Sequence, residues 1–101
     1  MTPAEIETYL SEARIADLVT LREDGSPHVS PVWYQYRAGT FHVISYAFAV
    51  KLLNIQRDPR VAVSIPKPDR PYEHVVLEGT ATVTQEDVTQ TIMDISVRYL
   101  G

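Results

Sequence analysis

Hydrophobic residues recur at helical spacing near both ends of the chain. The first set is Ile6, Tyr9, Leu10 and Ala13, and the second is Val88, Ile92, Ile95 and Tyr99. Spacings of three and four residues are typical of one face of an amphipathic helix. Thr2, Pro3 and Glu5 supply a capping residue, a proline suited to the first helical position and the glutamate of a capping box. Since Thr84 can cap the second set, we expect a helix at each end.

Between these helices, β-branched and aromatic residues bounded by turn residues predict strands. The predicted strands cover residues 15–21, 27–37, 40–45, 60–66 and 72–84. Tight connections at Gly25 and Gly39 join the first three, which should form an antiparallel meander. Pro31 cannot donate a backbone hydrogen bond, so it places the second strand at an edge or a bulge, where free backbone groups can face a ligand. Gly79 predicts a bend or bulge in the last strand.

A third helix is predicted within residues 45–60, where it ends before Pro59. The element order is therefore helix, three strands, helix, two strands, helix. Five antiparallel strands leave an open edge, whereas a small barrel abolishes its edges by closing. We therefore expect a closing strand that lies beyond Gly101 or comes from a partner chain.

The composition is that of one soluble globular domain over residues 1–101. Of its 101 residues, 45% are hydrophobic and 22% are charged, which is enough for one modest core. The sequence has no cysteine, which excludes disulfides, thiolate metal sites and cysteine nucleophiles. It shows neither a membrane-spanning apolar run nor a signal-peptide pattern, so we expect a cytoplasmic protein without a membrane partner. A pI near 5.2 argues against a nucleic-acid partner, because phosphate backbones are bound by clustered Lys and Arg.

Residues 45–60 carry positive charge in an acidic chain. Three cations, Lys51, Arg57 and Arg60, outnumber Asp58 there, while the whole chain has a net charge of -4. Backbone N–H groups and the dipole at a helix start favour a phosphate, and a nearby lysine adds a full charge. An anion site and an ordinary solvated surface helix fit this charge pattern equally well.

Three stretches together resemble a known family. They are Asp-Gly-Ser-Pro-His-Val-Ser-Pro-Val-Trp at 24–33, the helix from Lys51 through Asn54 to Arg57-Asp58-Pro59-Arg60-Val61, and Glu-Gly-Thr-Ala at 78–81. In this order they resemble the flavin-binding split barrels of the pyridoxamine-phosphate-oxidase-like superfamily. Within it, the sequence is most similar to the small proteins that use the deazaflavin coenzyme F420.

The resemblance implies a mainly β fold: an antiparallel six-stranded split barrel with short helices, which dimerises and holds a cofactor at each of two interfacial sites. Its final strand usually follows the last helix, so the resemblance also implies a strand that this chain lacks. The implied ring contacts are Ser30, Pro31, Val32 and Trp33, with Tyr72 reaching across the interface. The implied contacts near the cofactor phosphate are Ser45, Tyr46, Ala49, Val50 and Lys51. Relatives often carry a second basic residue where this sequence has Ala49.

The resemblance implies an oxidoreductase that transfers a hydride from reduced coenzyme F420 to a small unsaturated or aromatic acceptor. Two alternatives are an FMN-dependent enzyme of the same superfamily and a flavin- or deazaflavin-binding protein without turnover. Because the cofactor carries the hydride chemistry, we name no catalytic side chain. Candidates for the walls over the ring are Tyr34, Phe48, Tyr72 and His74. We expect no metal site, because the three histidines lie on separate predicted strands without short ligand spacing.

Overall fold

The structure is a computed structural model of the chain, and it describes residues 2–37, 39–45, 49–67, 69, 73–84, 93, 95 and 99. Its elements, in chain order, are α1 (Pro3–Ser11), β1 (Ala16–Leu21), β2 (Pro27–Val32), β3 (Gln35–Arg37), β4 (Thr40–His42), α2 (Val50–Arg57), β5 (Arg60–Pro66) and β6 (His74–Thr80). None of the helices in these ranges is both long and apolar enough to cross a lipid bilayer.

The strands form two antiparallel sheets. One sheet has four strands in the order β2-β1-β5-β6, and the other pairs β3 with β4. The register places Leu18 of β1 opposite Ser30 of β2 on one side and Val63 of β5 on the other. The mainly β, antiparallel fold class predicted from the sequence is confirmed. The position predicted for Pro31 is also confirmed, because β2 is an edge strand of its sheet in the described part of the chain.

The predicted second strand is divided in two, so the single strand expected over 27–37 was wrong. β2 ends at Val32 and β3 begins at Gln35, and the two residues between them carry the chain from one sheet to the other. Tyr34 causes the division because it is fully buried. Its ring stacks on Phe41, with 4.4 Å between centroids, and its hydroxyl donates to the carbonyl of Glu12 at 3.1 Å.

This division, rather than a closing strand, brings the number of described strands to six. The last strand runs without a bulge: Val61, Ala62 and Val63 pair in unbroken register with Gly79, Glu78 and Leu77. Of the bend or bulge predicted at Gly79, the bulge was therefore wrong. Among the described residues no strand pairing joins the two sheets into a closed barrel.

The core lies on one face of the four-stranded sheet. Residues of β1 alternate between buried and partly buried, with Ala16, Leu18 and Thr20 facing the interior. Alternation at every second residue is what a strand with one covered face requires. Tyr9 and Leu10 of α1 cover this interior, and the Tyr9 hydroxyl donates to the carbonyl of Ile65 at 2.7 Å.

The predicted capping box of α1 is present. The Thr2 hydroxyl accepts from the Glu5 N–H at 3.2 Å, and the Glu5 carboxylate accepts from the Thr2 N–H at 3.1 Å. The helix ends at Ser11, so Ala13 lies outside it. Of the residues predicted for the last helix, Ile95 and Tyr99 are helical. Val88 and Ile92 lie outside the described residues.

Candidate functional site

The second half of α2 is fixed to the sheet by polar contacts. Asn54 is only 4% exposed, and its Nδ2 donates to the Thr20 hydroxyl at 3.0 Å. Arg57 donates from Nη2 to the carbonyl of Leu21 at 2.7 Å and to the Asn54 amide oxygen at 3.0 Å. Both side chains therefore serve to dock the helix on the end of β1.

Among the residues that the structure describes, no side chain makes such a polar contact with the first turn of α2. Ala49 precedes the helix with extended backbone, φ -65° and ψ 142°, and provides no side-chain cap. The N–H groups of Val50 and Lys51 have no intrahelical acceptor, since they lie in the first turn. No acidic residue occurs in that turn. The positive end of the helix dipole is therefore not neutralised by the helix itself.

Lys51 is a free cation beside this helix start. It is partly buried and shares a helix face with Asn54 and Ile55, three and four residues later. Within the described part of the chain it has neither a hydrogen-bond nor an ion-pair partner. An anion at the start of α2 would find both unsatisfied N–H groups and this charge.

The other cations of residues 45–60 are engaged. Arg57 binds Leu21 and Asn54, and Arg60 donates from Nη2 to Asp58 at 2.7 Å. Hydrogen bonds from the Arg60 side chain and backbone lower the pKa of Asp58 to about 2. Asp58, which directly follows α2, is therefore the ion-pair partner of Arg60.

The predicted ring contacts on β2 do not share one face. The register places Ser30 opposite Leu18 and Val32 opposite Ala16, on the interior face, whereas Pro31 is opposite Asp17 on the outer face. Val32 is only 7% exposed and belongs to the core. Pro31 is exposed. A planar ligand could therefore meet the Pro31 side chain from outside, or the backbone groups that an edge strand leaves unpaired.

β2 also carries a buried polar atom, Nδ1 of His28. It has no hydrogen-bond partner among the residues that the structure describes. His28 is opposite Thr20, the residue that Asn54 contacts from α2. Buried polar atoms without partners are uncommon and often mark places where a ligand or water belongs. His28 therefore lies on β2, next to β1, the strand that α2 contacts.

The remaining predicted contacts are placed as follows. Ser45 is partly buried, three residues beyond the end of β4. Trp33 is 40% exposed directly after β2. Tyr46 and Tyr72 lie outside the described residues, as does Phe48. His74 is exposed at the start of β6. Tyr34 cannot form a wall over an accessible ring, because it is fully buried, so that prediction was wrong.

No group of three or more His, Asp or Glu side chains suited to a metal ion occurs in the described ranges.

A sequence profile for pyridoxamine 5′-phosphate oxidase matches residues 2–100. The match spans nearly the whole chain and includes both α2 and the edge strand β2. The chain belongs to the pyridoxamine 5′-phosphate oxidase family. A sequence search among curated proteins gave no significant match.

Solved structures place this member of the pyridoxamine 5′-phosphate oxidase family near proteins of several descriptions. An F420 reductase is 26% identical, with a TM-score of 0.85 over 94% of this chain and 76% of its own. A conserved hypothetical protein from Mycobacterium tuberculosis is 30% identical, with a TM-score of 0.89 over 100% of this chain and 66% of its own. A heme storage protein from Vibrio cholerae, 18% identical, has a TM-score of 0.78 over 96% of this chain and 75% of its own. The last shows that the fold alone does not specify the cofactor.

The sequence did not predict that Tyr99 contacts Trp33, one of the proposed ring contacts of this family member. Tyr99 was assigned only to the apolar face of a helix, yet its ring stacks on Trp33 with 4.9 Å between centroids. No local pattern could have shown this contact, because Trp33 and Tyr99 are far apart in the sequence. The only sequence signal was the helical spacing itself.

Proposed function

We propose that this chain is the subunit of a homodimeric oxidoreductase that uses coenzyme F420. It transfers a hydride from the reduced deazaflavin to a small unsaturated or aromatic acceptor. Family membership and the likeness to an F420 reductase support a flavin-type cofactor. The observation that carries the proposal is the uncapped start of α2 with the free Lys51 beside it.

The start of α2 suits the cofactor phosphate. Lys51 supplies a full positive charge, and the N–H groups of Val50 and Lys51 can donate to phosphate oxygens. Ala49 leaves these donors uncovered because its side chain cannot cap. Arg57 and Arg60 do not contribute, since their guanidinium groups are engaged elsewhere. Ser45 and Tyr46 complete the set of proposed phosphate contacts.

The edge of β2 suits the deazaflavin ring. Pro31 and Trp33 offer apolar surface, with Ser30 and Val32 on either side of Pro31 in the sequence. Tyr72 from the second subunit covers the ring in this proposal. These groups are consistent with a planar, partly polar ring laid along an edge strand.

The chain's own residues bind, orient and exclude water. The deazaflavin supplies the hydride chemistry when it is bound. Lys51 and the α2 N–H groups fix the phosphate, and this sets where the ring lies along β2. Trp33 and Pro31 shield one side of that ring from water. Holding acceptor and donor in a fixed geometry is the main contribution expected of such a protein.

The outer face of the four-stranded sheet supports the homodimer. The register places Val29, Val19 and Ala62 side by side across three strands. Val29 is 57% exposed and Val76, on the same face, is 51% exposed. Contiguous exposed apolar surface commonly marks an interface. Because Pro31 lies on this face too, a second copy docked there would border the proposed ring site.

Binding and mass measurements test the proposal. Calorimetric titration with coenzyme F420 at micromolar concentration should show saturable binding, and light scattering should give twice the 11.4 kDa mass of one chain. Oxidation of reduced F420 by quinone, nitro or enone acceptors should follow. A protein that purifies yellow with flavin absorbance would favour FMN instead. F420 binding without turnover would favour a binding protein, and the absence of any binding would contradict the proposal.

A further inference from the structure

Aromatic rings meet where the chain passes from the four-stranded sheet to the two-stranded sheet. Tyr99 stacks on Trp33 with 4.9 Å between ring centroids and 1° between ring planes. It also meets Tyr34 edge-on, at 6.4 Å and 71°. Both geometries are favourable for aromatic pairs. Tyr99 therefore lies between an exposed tryptophan and a tyrosine of the core.

The hydroxyl of Tyr99 is fixed by backbone groups. It donates to the carbonyl of Arg14 at 2.6 Å and accepts from the N–H of Tyr34 at 3.2 Å. Tyr34 is itself held, because its own hydroxyl donates to the carbonyl of Glu12. The orientation of the Tyr99 ring is thus set by two main-chain groups, one in the segment after α1 and one where the chain passes between the two sheets.

This arrangement fixes the orientation of Trp33. Tyr99 covers one face of the indole, yet Trp33 remains 40% exposed. The tryptophan directly follows the edge strand β2 and comes two residues after Pro31. An aromatic side chain that is already ordered loses little conformational entropy when a ligand packs against it.

We infer that Tyr99 is a positioning residue for the cofactor site: it holds the Trp33 indole so that its uncovered surface borders the deazaflavin ring. This inference rests on the proposed function. Tyr99 acts through Trp33 and does not itself touch the cofactor. Because Tyr99 is itself helical, it connects the last helix to the proposed site: its ring stacks on Trp33, and its hydroxyl bonds to the backbone of Arg14 and Tyr34.

Fluorescence of the cofactor-free protein tests the first step. Trp33 is the only tryptophan of the chain, so the emission reports on this side chain alone. Tyr99→Leu removes the stack and should shift the emission to longer wavelength and lower its anisotropy. Tyr99→Phe keeps the ring but removes both hydrogen bonds, and should give a smaller change in the same direction. Tyr36→Phe is the control. It also removes a tyrosine hydroxyl, but this one donates to Glu7 of α1 at 3.1 Å and not to the backbone near Trp33.

Affinity for coenzyme F420 tests the second step. We expect Tyr99→Leu to weaken binding about three- to tenfold, the loss of one aromatic contact. Tyr99→Phe should weaken it about threefold, and Tyr36→Phe should leave it unchanged. In a Trp33→Ala background, Tyr99→Phe should have no further effect. A merely structural tyrosine would weaken binding equally in both backgrounds.

The outcomes are distinguishable. Unaltered Trp33 emission in both Tyr99 variants, or equal losses of affinity with and without Trp33, would overturn the inference and leave the proposed function standing. A wild-type protein that binds no F420 would overturn the proposed function itself. If circular dichroism shows that Tyr99→Leu does not fold, Tyr99→Phe and the double-variant comparison decide the matter.

Discussion

The two helices that the structure describes throughout begin in opposite ways. At α1, Thr2 and Glu5 exchange hydrogen bonds, and these bonds from Thr2 lower the pKa of the Glu5 carboxyl. At α2, Ala49 offers no cap, no acidic residue follows, and Lys51 adds positive charge instead. Both helices are short, nine and eight residues, so the difference is not one of length.

The contrast separates a helix start that serves the fold from one that is open to a ligand. Polar groups with a structural role are satisfied within the protein, whereas groups that bind a ligand are often left without internal partners. The same division occurs within α2, because Asn54 and Arg57 are bonded to β1 while the first turn is not. We therefore infer that the end of α2 docks the helix on the sheet, and we propose that its start binds the cofactor.

Removing the free cation of α2 should have the largest effect. Lys51→Ala eliminates a charge-assisted contact, so we expect binding of coenzyme F420 to weaken about ten- to a hundredfold by calorimetry. The fold should be retained, because Lys51 makes no hydrogen bond within the described residues. Lys67→Ala removes the same charge from the loop after β5 and should bind as wild type does. Equal losses in the two variants would show that only net charge matters.

Giving α2 a cap of its own should move stability and affinity in opposite directions. Ala49 already has the extended backbone of a capping residue, so Ala49→Asp should stabilise the protein by about 1 kcal/mol in denaturant unfolding. Its carboxylate would occupy the first-turn donors and repel the phosphate, so F420 affinity should fall roughly tenfold. Ala49→Asn provides a cap without the charge and should weaken binding less. Unchanged affinity in Ala49→Asp would argue against a phosphate at this position.

Removing the cap of α1 should affect stability alone. Thr2→Ala abolishes the hydroxyl that accepts from the Glu5 N–H, and we expect a loss of about 1 kcal/mol in denaturant unfolding. Affinity for F420 should not change, because α1 covers the core and not the proposed site. Thr8→Ala, on the same helix, is a control whose hydroxyl does not cap the helix start. A loss of F420 affinity in Thr2→Ala would contradict the claim that the start of α1 affects stability alone.

The smallest expected effect is a pH dependence that belongs to α1. Because Thr2 lowers the pKa of Glu5 from 4.5, the Glu5 carboxylate stabilises the fold fully above that pH. This stability is lost as the pH falls through the folded-state pKa. Glu5→Gln keeps an acceptor for the Thr2 N–H but cannot titrate. The midpoints of thermal unfolding of wild type and variant should therefore differ slightly at neutral pH and converge in acid, once the pH is below the folded-state pKa of Glu5. A constant difference would contradict this assignment.

Local signals predicted much of the fold. The Thr2 and Glu5 pair marked the start of α1, and Pro59 marked the end of α2, because caps and prolines act on their immediate neighbours. The predicted strand over 60–66 coincides with β5. These elements depend on residues close in sequence, and a single chain displays them directly.

The sheet crossing could not be predicted in this way. Residues 33 and 34 lie in a run of strand-forming residues, and no turn residue announces a break. The chain leaves the sheet because Tyr34 packs into the core against Phe41. In addition, the Tyr34 N–H donates to the hydroxyl of Tyr99, which is 65 positions away. Such tertiary contacts override local propensity.

The candidate site was predicted in part for the same reason. Charge and sequence position led to Lys51, and the structure distinguishes it from Arg57 and Arg60 by their engaged side chains. The strand faces were not predicted. Ser30 and Val32 point to the interior and Pro31 to the outside, and this depends on a register that only the paired strand sets.

The measurement that tests the central claim most directly compares coenzyme F420 with the same deazaflavin lacking its phosphate. If the start of α2 binds the phosphate through Lys51, wild type should bind the phosphorylated form at least about tenfold more tightly. In Lys51→Ala the two forms should bind almost equally. A preference for the phosphorylated form that survives unchanged in Lys51→Ala would contradict the account.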